Sequence, residues 1–235
     1  MQQRSLQKEL LDQPGIPAED IRRNMQELNI INTWLGGHTI TVSGVKKLLA
    51  GRKQVSICEI GCGGGDNLIA IARWCSWHGI GASLTGIDIN PWCIHTAIEK
   101  WQQLPALKGI AMPKFITSDY RLASFSDNPD IIFSSLFCHH FTDEELVIQL
   151  QWMQQHARVG FFINDLHRHP LAFHSIRLLT RIFSRSYLVK HDAPLSVKRS
   201  FVKNDWEQLL QQAGISNFCI QWRWAFRWLV TVKTN

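Results

Sequence analysis

The chain has 235 residues, of which 45% are hydrophobic and 19% charged, and its formal net charge is +6. This composition excludes an intrinsically disordered chain, and the length suits one substantial domain with additions. No run of 18 apolar residues occurs, and the amino terminus lacks the apolar core of a signal peptide. We therefore expect a cytoplasmic protein that forms one domain over residues 1–235.

Two helices are predicted at the amino terminus, over residues 2–11 and 17–31, separated by the turn signature Asp12-Gln13-Pro14-Gly15. The second helix starts at Pro17 and carries an apolar stripe at helical spacing. The paired glycines Gly36-Gly37 end this region, and a further helix is expected over residues 42–49. We predict that residues 1–40 form a helical lid.

From residue 54 onward, segments typical of strands and helices alternate. The predicted strands cover residues 54–60, 84–89, 114–118, 130–136, 158–164, 217–224 and 227–233. The predicted helices between them cover residues 66–78, 91–102, 143–157 and 204–214. This order predicts an α/β fold with a doubly wound, mostly parallel seven-stranded sheet, closed by an antiparallel hairpin. Residues 165–203 form a long insertion, which begins with a helix.

A glycine-rich loop follows the first predicted strand in the stretch Glu59-Ile60-Gly61-Cys62-Gly63-Gly64-Gly65-Asp66. Glycines allow sharp turns and a close approach to a ligand, and the helix behind them offers unpaired N–H groups. Asp66 stands where the dinucleotide fingerprint would have its last glycine. The loop therefore indicates a nucleotide cradle of another type.

Acidic residues end the next two strands. Asp88 ends the second, before a helix with Asn90 as its N-cap and Pro91 at its first position. A carboxylate at this place can accept both hydroxyls of an adenosine ribose. Asp119 ends the third strand, and the fourth runs through Ser134-Ser135 to Cys138-His139-His140.

These four motifs, in this order, resemble class I S-adenosylmethionine-dependent methyltransferases over residues 40–235. The resemblance implies a Rossmann-like methyltransferase fold, S-adenosylmethionine as cofactor and S-adenosylhomocysteine as product. It also implies that Asp119 contacts the adenine amino group. The predicted cofactor-binding residues are Glu59, Gly61, Cys62, Gly63, Gly65, Asp88, Ile89, Asp119, Tyr120 and Ser135.

Four histidines are candidate catalytic bases, because imidazole can remove a proton at neutral pH. His139 and His140 end the fourth strand, where one should face the pocket and the other away. A structural role in an apolar–His–His–apolar turn is an equal alternative. His167 and His169 follow the fifth strand, and helix capping before Pro170 is the alternative for them.

No metal site is predicted. Cys138-His139-His140 could suggest one, but neighbouring residues on a strand alternate faces and cannot all converge on one ion. The other cysteines lack CxxC pairs, so buried free thiols are expected in a reducing compartment.

The insertion at 165–203 holds eight basic residues against Asp165 and Asp192, which accounts for the whole net charge. With the amino-terminal helices, it should roof the site and select a hydrophobic acceptor bearing a phenolate or carboxylate. It also resembles methyltransferases of polyketide and aromatic natural-product pathways. We expect O-methylation of a small molecule by a monomer or homodimer.

Two alternatives remain open. A nucleic-acid methyltransferase is disfavoured because Ser134-Ser135-Leu136-Phe137 does not match the Asn/Asp-Pro-Pro-Tyr motif of base-methylating branches, and the charge is modest. A non-catalytic protein that binds S-adenosylmethionine would show the same motifs.

Overall fold

The computed structural model describes residues 3–13 and 15–234, which form seven strands and eight α-helices. The strands are β1 Gln54–Ile60, β2 Gly81–Asp88, β3 Lys114–Thr117, β4 Ile131–Ser135, β5 Gly160–Leu166, β6 Phe218–Arg223 and β7 Arg227–Lys233. The helices are α1 Ala18–Trp34, α2 Gly37–Leu49, α3 Asp66–Trp77, α4 Pro91–Gln102, α5 Asp143–His156, α6 Pro170–Phe183, α7 Tyr187–Arg199 and α8 Lys203–Gln212.

All the described strands join one sheet in the order β3-β2-β1-β4-β5-β7-β6. Strands β1 to β5 are parallel, whereas β7 runs antiparallel to both β5 and β6. The predicted doubly wound, mostly parallel sheet is confirmed. Because the strand order reverses between β1 and β4, a crevice opens there at the carboxyl ends of the strands.

The core consists of two apolar layers, one on each face of the sheet. Phe161 packs with Trp206 on one face, whereas its neighbour Phe162 packs with Phe133 on the other. The Phe133 and Phe162 rings are stacked with centroids 4.8 Å apart. Adjacent strand residues point to opposite faces, so the apolar run Phe161-Phe162-Ile163 of β5 fills both layers.

The helix predicted over residues 2–11 is wrong for the described part of that segment. Residues 3–9 form an extended arm, followed by a single 3₁₀ turn at Leu10–Asp12. The arm is held by α7: Ser5 N donates to Lys198 O at 3.0 Å, and Leu10 N donates to Asp192 Oδ1 at 2.8 Å. These contacts take the backbone donors that a helix would use. Met1, Gln2 and the Pro14 of the predicted turn lie outside the described residues.

Two other helices differ from the prediction. Helix α2 begins at Gly37 instead of residue 42, because Gly36 adopts a left-handed conformation (φ 73°) that starts it earlier. Helix α7 was not predicted, since it contains Pro194. Ser186 caps α7 by accepting a hydrogen bond from Val189 N at 3.3 Å. Across residues 3–13 and 15–234, none of the helices has the length and apolarity needed to cross a membrane.

Candidate active site

The glycine loop between β1 and α3 requires glycine at its turns. Gly61, Gly63 and Gly65 have φ of 67°, 50° and 72°, in the left-handed region that favours glycine. A Cβ on Gly61 would lie 2.3 Å from the Phe137 ring, whereas one on Gly63 would meet no atom within 4 Å. The loop is therefore packed against the Phe137 ring at Gly61 and open to a ligand at Gly63.

Asp88 is fixed at the end of β2. Its Oδ2 accepts a hydrogen bond from Gly63 N at 2.8 Å, and its Oδ1 accepts one from Asn90 N at 2.9 Å. Burial raises the pKa of Asp88, although those two hydrogen bonds and the charge of His140 oppose the rise. Each carboxylate oxygen has a second lone pair, so Asp88 can still accept ligand hydroxyls.

A cavity of about 200 Å³ lies at the carboxyl ends of the central strands. Its lining comprises Gly61, Ile87, Asp88, Ile89, Ser118, Asp119, Tyr120, Arg121, Phe137 and Phe141. Five predicted cofactor residues are thus brought together: Gly61, Asp88, Ile89, Asp119 and Tyr120. The remaining five, Glu59, Cys62, Gly63, Gly65 and Ser135, are absent from this lining.

Asp119 and Tyr120 shape one wall of the cavity. Asp119 accepts hydrogen bonds from Arg121 N at 2.9 Å and Arg121 Nε at 3.0 Å, which holds the pKa of Asp119 below its usual value. The Tyr120 ring is buried edge-on against Phe137 and Trp152, and burial raises the pKa of Tyr120 to about 12. Tyr120 therefore stays neutral, which suits packing better than catalysis.

Glu59 lies behind the glycine loop. Its Oε1 accepts a hydrogen bond from Asn67 Nδ2 at 2.8 Å, while Oε2 is buried with no partner among the described residues. Burial raises the pKa of Glu59 well above its ordinary value. Ser135 Oγ is likewise buried without a partner in the described part of the chain. The predicted cofactor roles of both residues stay predictions.

His139 and His140 lie side by side, with ring centroids 4.4 Å apart. The expectation that they point to opposite faces is wrong, because Cys138–His140 is a 3₁₀ turn and not an extension of β4. His139 Nδ1 lies 2.8 Å from Asp165 Oδ1, and both side chains are buried. His140 Nδ1 lies 3.2 Å from Asp12 Oδ1 in the amino-terminal arm.

The electrostatics give the two histidines different roles. Burial opposes ionisation of Asp165, but the charge and hydrogen bond of His139 outweigh it and lower the pKa of Asp165. Ionised Asp165 can only accept, so His139 donates through Nδ1 and leaves Nε2 as its basic atom. Burial also disfavours the charged form of His140, yet the hydrogen bond to Asp12 and the charge of Glu9 raise the pKa of His140.

Metal-ligating side chains converge at one place within the described residues. Glu9, His139 and His140 each offer an atom, and these atoms lie within 4.8 Å of one another. The strand argument against a metal does not apply to a 3₁₀ turn. Charge pairing explains the cluster without an ion, since His140 is flanked by Glu9 and Asp12. The absence of a metal stays a prediction.

His167 and His169 follow β5 and, like His139 and His140, are absent from the cavity lining. The His167 ring packs on Trp228 with centroids 4.8 Å apart, and burial lowers the pKa of His167. His169 Nδ1 accepts a hydrogen bond from Leu171 N at 3.2 Å, which caps α6. His169 therefore has the helix-capping role that was the alternative for it. Neither His167 nor His169 contacts His139.

Three residues of the site were missed from the sequence: Glu9, Asp12 and Asp165. Asp165 had a usable signal, because an acid that directly follows the buried run of β5 needs a partner if it is buried too. Glu9 and Asp12 had none, since their segment was predicted to be a helix and a turn.

Comparison with known proteins agrees with this geometry. Residues 57–160 match a methyltransferase domain family. No curated protein sequence matches the chain significantly. The fold is similar to that of plantazolicin methyltransferase in complex with S-adenosylhomocysteine, with a TM-score of 0.65, 18% identity and 93% of each chain covered.

Two further solved structures share the fold. Magnesium protoporphyrin IX methyltransferase from Synechocystis, with bound S-adenosylmethionine, has a TM-score of 0.56 and 16% identity, covering 95% of this chain and 100% of that one. Human N-acetylserotonin methyltransferase has a TM-score of 0.62 and 17% identity, covering 98% and 64%. Residues 57–160 thus match a methyltransferase domain, and the fold of the chain is that of the solved methyltransferases, as the resemblance implied.

Proposed function

We propose that this protein transfers a methyl group from S-adenosylmethionine to a hydroxyl of a small hydrophobic acceptor of phenolic or polyketide type. The observation that carries the proposal is the buried His139–Asp165 pair, whose hydrogen-bonded atoms are 2.8 Å apart. Phe137 and Phe141 lie on either side of His139 in the chain, and both line the cavity. His139 itself is absent from that lining, so its place next to the cavity is part of the proposal and is supported only by these two chain neighbours.

The residues present fit the cofactor. The loop leaves open space at Gly63, and Asp88 offers a carboxylate whose position is fixed by two backbone N–H groups. Asp88 would hold the ribose hydroxyls, and Tyr120 and Phe137 would pack against the adenosine. When bound, S-adenosylmethionine supplies an electrophilic methyl group on a positively charged sulfur.

His139 would act as the general base. Its Nε2 accepts the proton that the acceptor hydroxyl loses as the oxygen bonds to the methyl carbon. Glu9 Oε1 lies 3.7 Å from this atom, too far for a hydrogen bond, so the lone pair of Nε2 is not taken. Asp165 would hold the ring in the required tautomer and stabilise the imidazolium that forms. Asp12 and Glu9 raise the pKa of His140, and in its charged form His140 would favour a developing phenolate.

The small-molecule assignment draws on the neighbours. The three compared methyltransferases are named for magnesium protoporphyrin IX, plantazolicin and N-acetylserotonin, none of which is a nucleic acid. The insertion combines apolar and basic side chains in α6 and α7, although none of its residues lines the cavity at the strand ends. An acceptor with a phenolate or carboxylate would be attracted by those charges.

Methyl-labelled S-adenosylmethionine tests the proposal against a panel of phenols, quinones, polyketides and tRNA. Label in a phenol or polyketide that hydriodic acid releases as methyl iodide supports O-methylation, because the acid cleaves methyl ethers and leaves C-methyl groups intact. Label in tRNA alone would replace the proposal with nucleic-acid methylation. Binding of S-adenosylhomocysteine without turnover on any member would favour the non-catalytic alternative.

A further inference from the structure

Helix α6 presents an apolar face to solvent. Leu171, Leu178 and Ile182 recur seven and four residues apart, on one side of the helix, and are 62%, 59% and 61% exposed. Phe183 at its end is 76% exposed. Ala172 and Thr180 are the fully buried residues of this helix among those described. A helix with this pattern normally covers its apolar face with a partner.

The exposed face continues onto α1. Trp34 and Ile30 are 85% and 54% exposed, and with Leu179 and Phe183 they line an apolar groove of about 260 Å³ between the two helices. Glu27 of α1 accepts hydrogen bonds from Arg185 N at 3.0 Å and Ser186 N at 3.1 Å. This contact fixes the end of α6 beside α1. We refer to Ile30, Trp34, Leu171, Leu178, Leu179, Ile182 and Phe183 as the α1–α6 patch.

One edge of the patch is basic. Arg177 and Arg181 stand next to Leu178 and Ile182 on α6, and Arg185 follows the helix. All three are exposed, and none forms an ion pair within residues 3–13 and 15–234. Helix α6 contains no acidic residue. The patch thus combines protruding apolar side chains with unpaired positive charge.

We propose that the α1–α6 patch binds the surface of an anionic phospholipid bilayer, with α6 lying in the plane of the interface. Apolar side chains on one face and arginines at its edge are the two features of an interfacial helix. The arginines would contact lipid phosphates while Trp34, Ile182 and Phe183 enter the acyl boundary. No helix in the described part of the chain could span the bilayer, so binding would be peripheral.

The positive charge at the edge of the patch favours an anionic bilayer over a second copy of the chain as its binding partner. A two-fold contact would place the patch against itself, and the arginines of the two copies would then face each other. Like charges brought together in this way repel, whereas an anionic bilayer attracts them. The inference concerns binding alone and does not depend on the proposed methyl acceptor.

Vesicle flotation of the full chain tests the inference without turnover. We expect the protein to float with vesicles of phosphatidylcholine mixed with phosphatidylglycerol, and far less with phosphatidylcholine alone. Raised salt should weaken the binding. Failure to float with the anionic vesicles, or equal flotation with both, would overturn the inference.

Two variants address the two halves of the patch. R177Q/R181Q should lower the partition coefficient about thirtyfold at low salt, and L178Q/I182Q/F183Q should abolish flotation. The control for the arginine variant is the double variant Arg73→Gln and Lys108→Gln, at two exposed basic residues. The control for the apolar variant is Trp77→Gln on α3, where the tryptophan is 88% exposed. Circular dichroism melts establish that each variant folds.

If the patch variants and the control variants lose flotation equally, the patch is not the specific membrane-binding surface. Size-exclusion chromatography completes the test. A dimer that the patch variants convert to a monomer, without any flotation of the wild type, would identify a second copy as the occupant and overturn the membrane assignment.

Discussion

His139 donates through Nδ1 to Asp165 Oδ1 at 2.8 Å, and the two residues come from different strand ends, 26 positions apart. Asp165 is completely buried, and Leu166 N also donates to its Oδ1 at 2.7 Å. A buried carboxylate held in this way orients an imidazole and fixes its tautomer. The pair is therefore the most specific chemical feature of the site.

Replacing His139 should remove the base without disturbing the cofactor cavity. We expect His139→Gln to lower kcat by about 10²–10⁴-fold, with the affinity for S-adenosylhomocysteine unchanged. Asp165→Asn should lower kcat and change its pH profile, because the amide no longer selects the tautomer. Steady-state kinetics on the authentic acceptor would measure both. His78→Gln, at an exposed histidine, is the control. If His139→Gln keeps the wild-type kcat, His139 is not the general base and another group must act in its place.

Removing the Asp88 carboxylate should weaken cofactor binding. Asp88→Ala leaves two ligand hydroxyls without their acceptor, which costs about 1–3 kcal/mol. Asp88→Asn keeps one acceptor oxygen and should bind with intermediate affinity. Isothermal titration calorimetry with S-adenosylhomocysteine checks this order, with the exposed Asp127→Ala as control. Equal affinities in all four proteins would remove Asp88 from the binding site.

Gly61 should tolerate no side chain. Gly61→Ala introduces a left-handed alanine, at about 1–2 kcal/mol, and a Cβ that would lie 2.3 Å from the Phe137 ring. Gly79→Ala has nearly the same φ, 64°, but meets no atom within 4 Å, so it isolates the cost of the backbone conformation. Urea unfolding should show a clearly larger loss of stability for Gly61→Ala. Equal losses would mean that Phe137 moves aside easily.

His140 should make stability depend on pH. The pKa of His140 is raised in the folded protein, despite burial, by Asp12 and Glu9. Its contribution is therefore fully present below the unfolded value of about 6.5 and is lost as pH rises through the folded pKa. We expect the unfolding free energy of His140→Gln to fall less than that of the wild type over this rise. Urea unfolding at several pH values compares them, with the exposed His95→Gln as control. Parallel profiles for wild type and His140→Gln would contradict the assigned charge pairing.

Much of the fold could be predicted from local patterns in the sequence. The glycine loop after β1 and the start of α4 at Asn90 and Pro91 both occur as predicted. These features depend on contacts between residues a few positions apart, so the residue types carry the information. The acids that end β2 and β3 reach one cavity because parallel strands end at the same edge.

The geometry of the candidate site was decided only by the tertiary structure. The sequence predicted that His139 and His140 follow β4, but their orientation depends on a 3₁₀ turn. The contact with Asp165 of β5 distinguishes His139 from His140. The amino-terminal arm shows the same limit: Asp192 in α7 accepts from the N–H groups of Leu10 and Leu11, which overrides a local helical preference. Such contacts join residues that are far apart in the chain and form only once the sheet and the insertion have packed. Local periodicity in the sequence therefore cannot predict them.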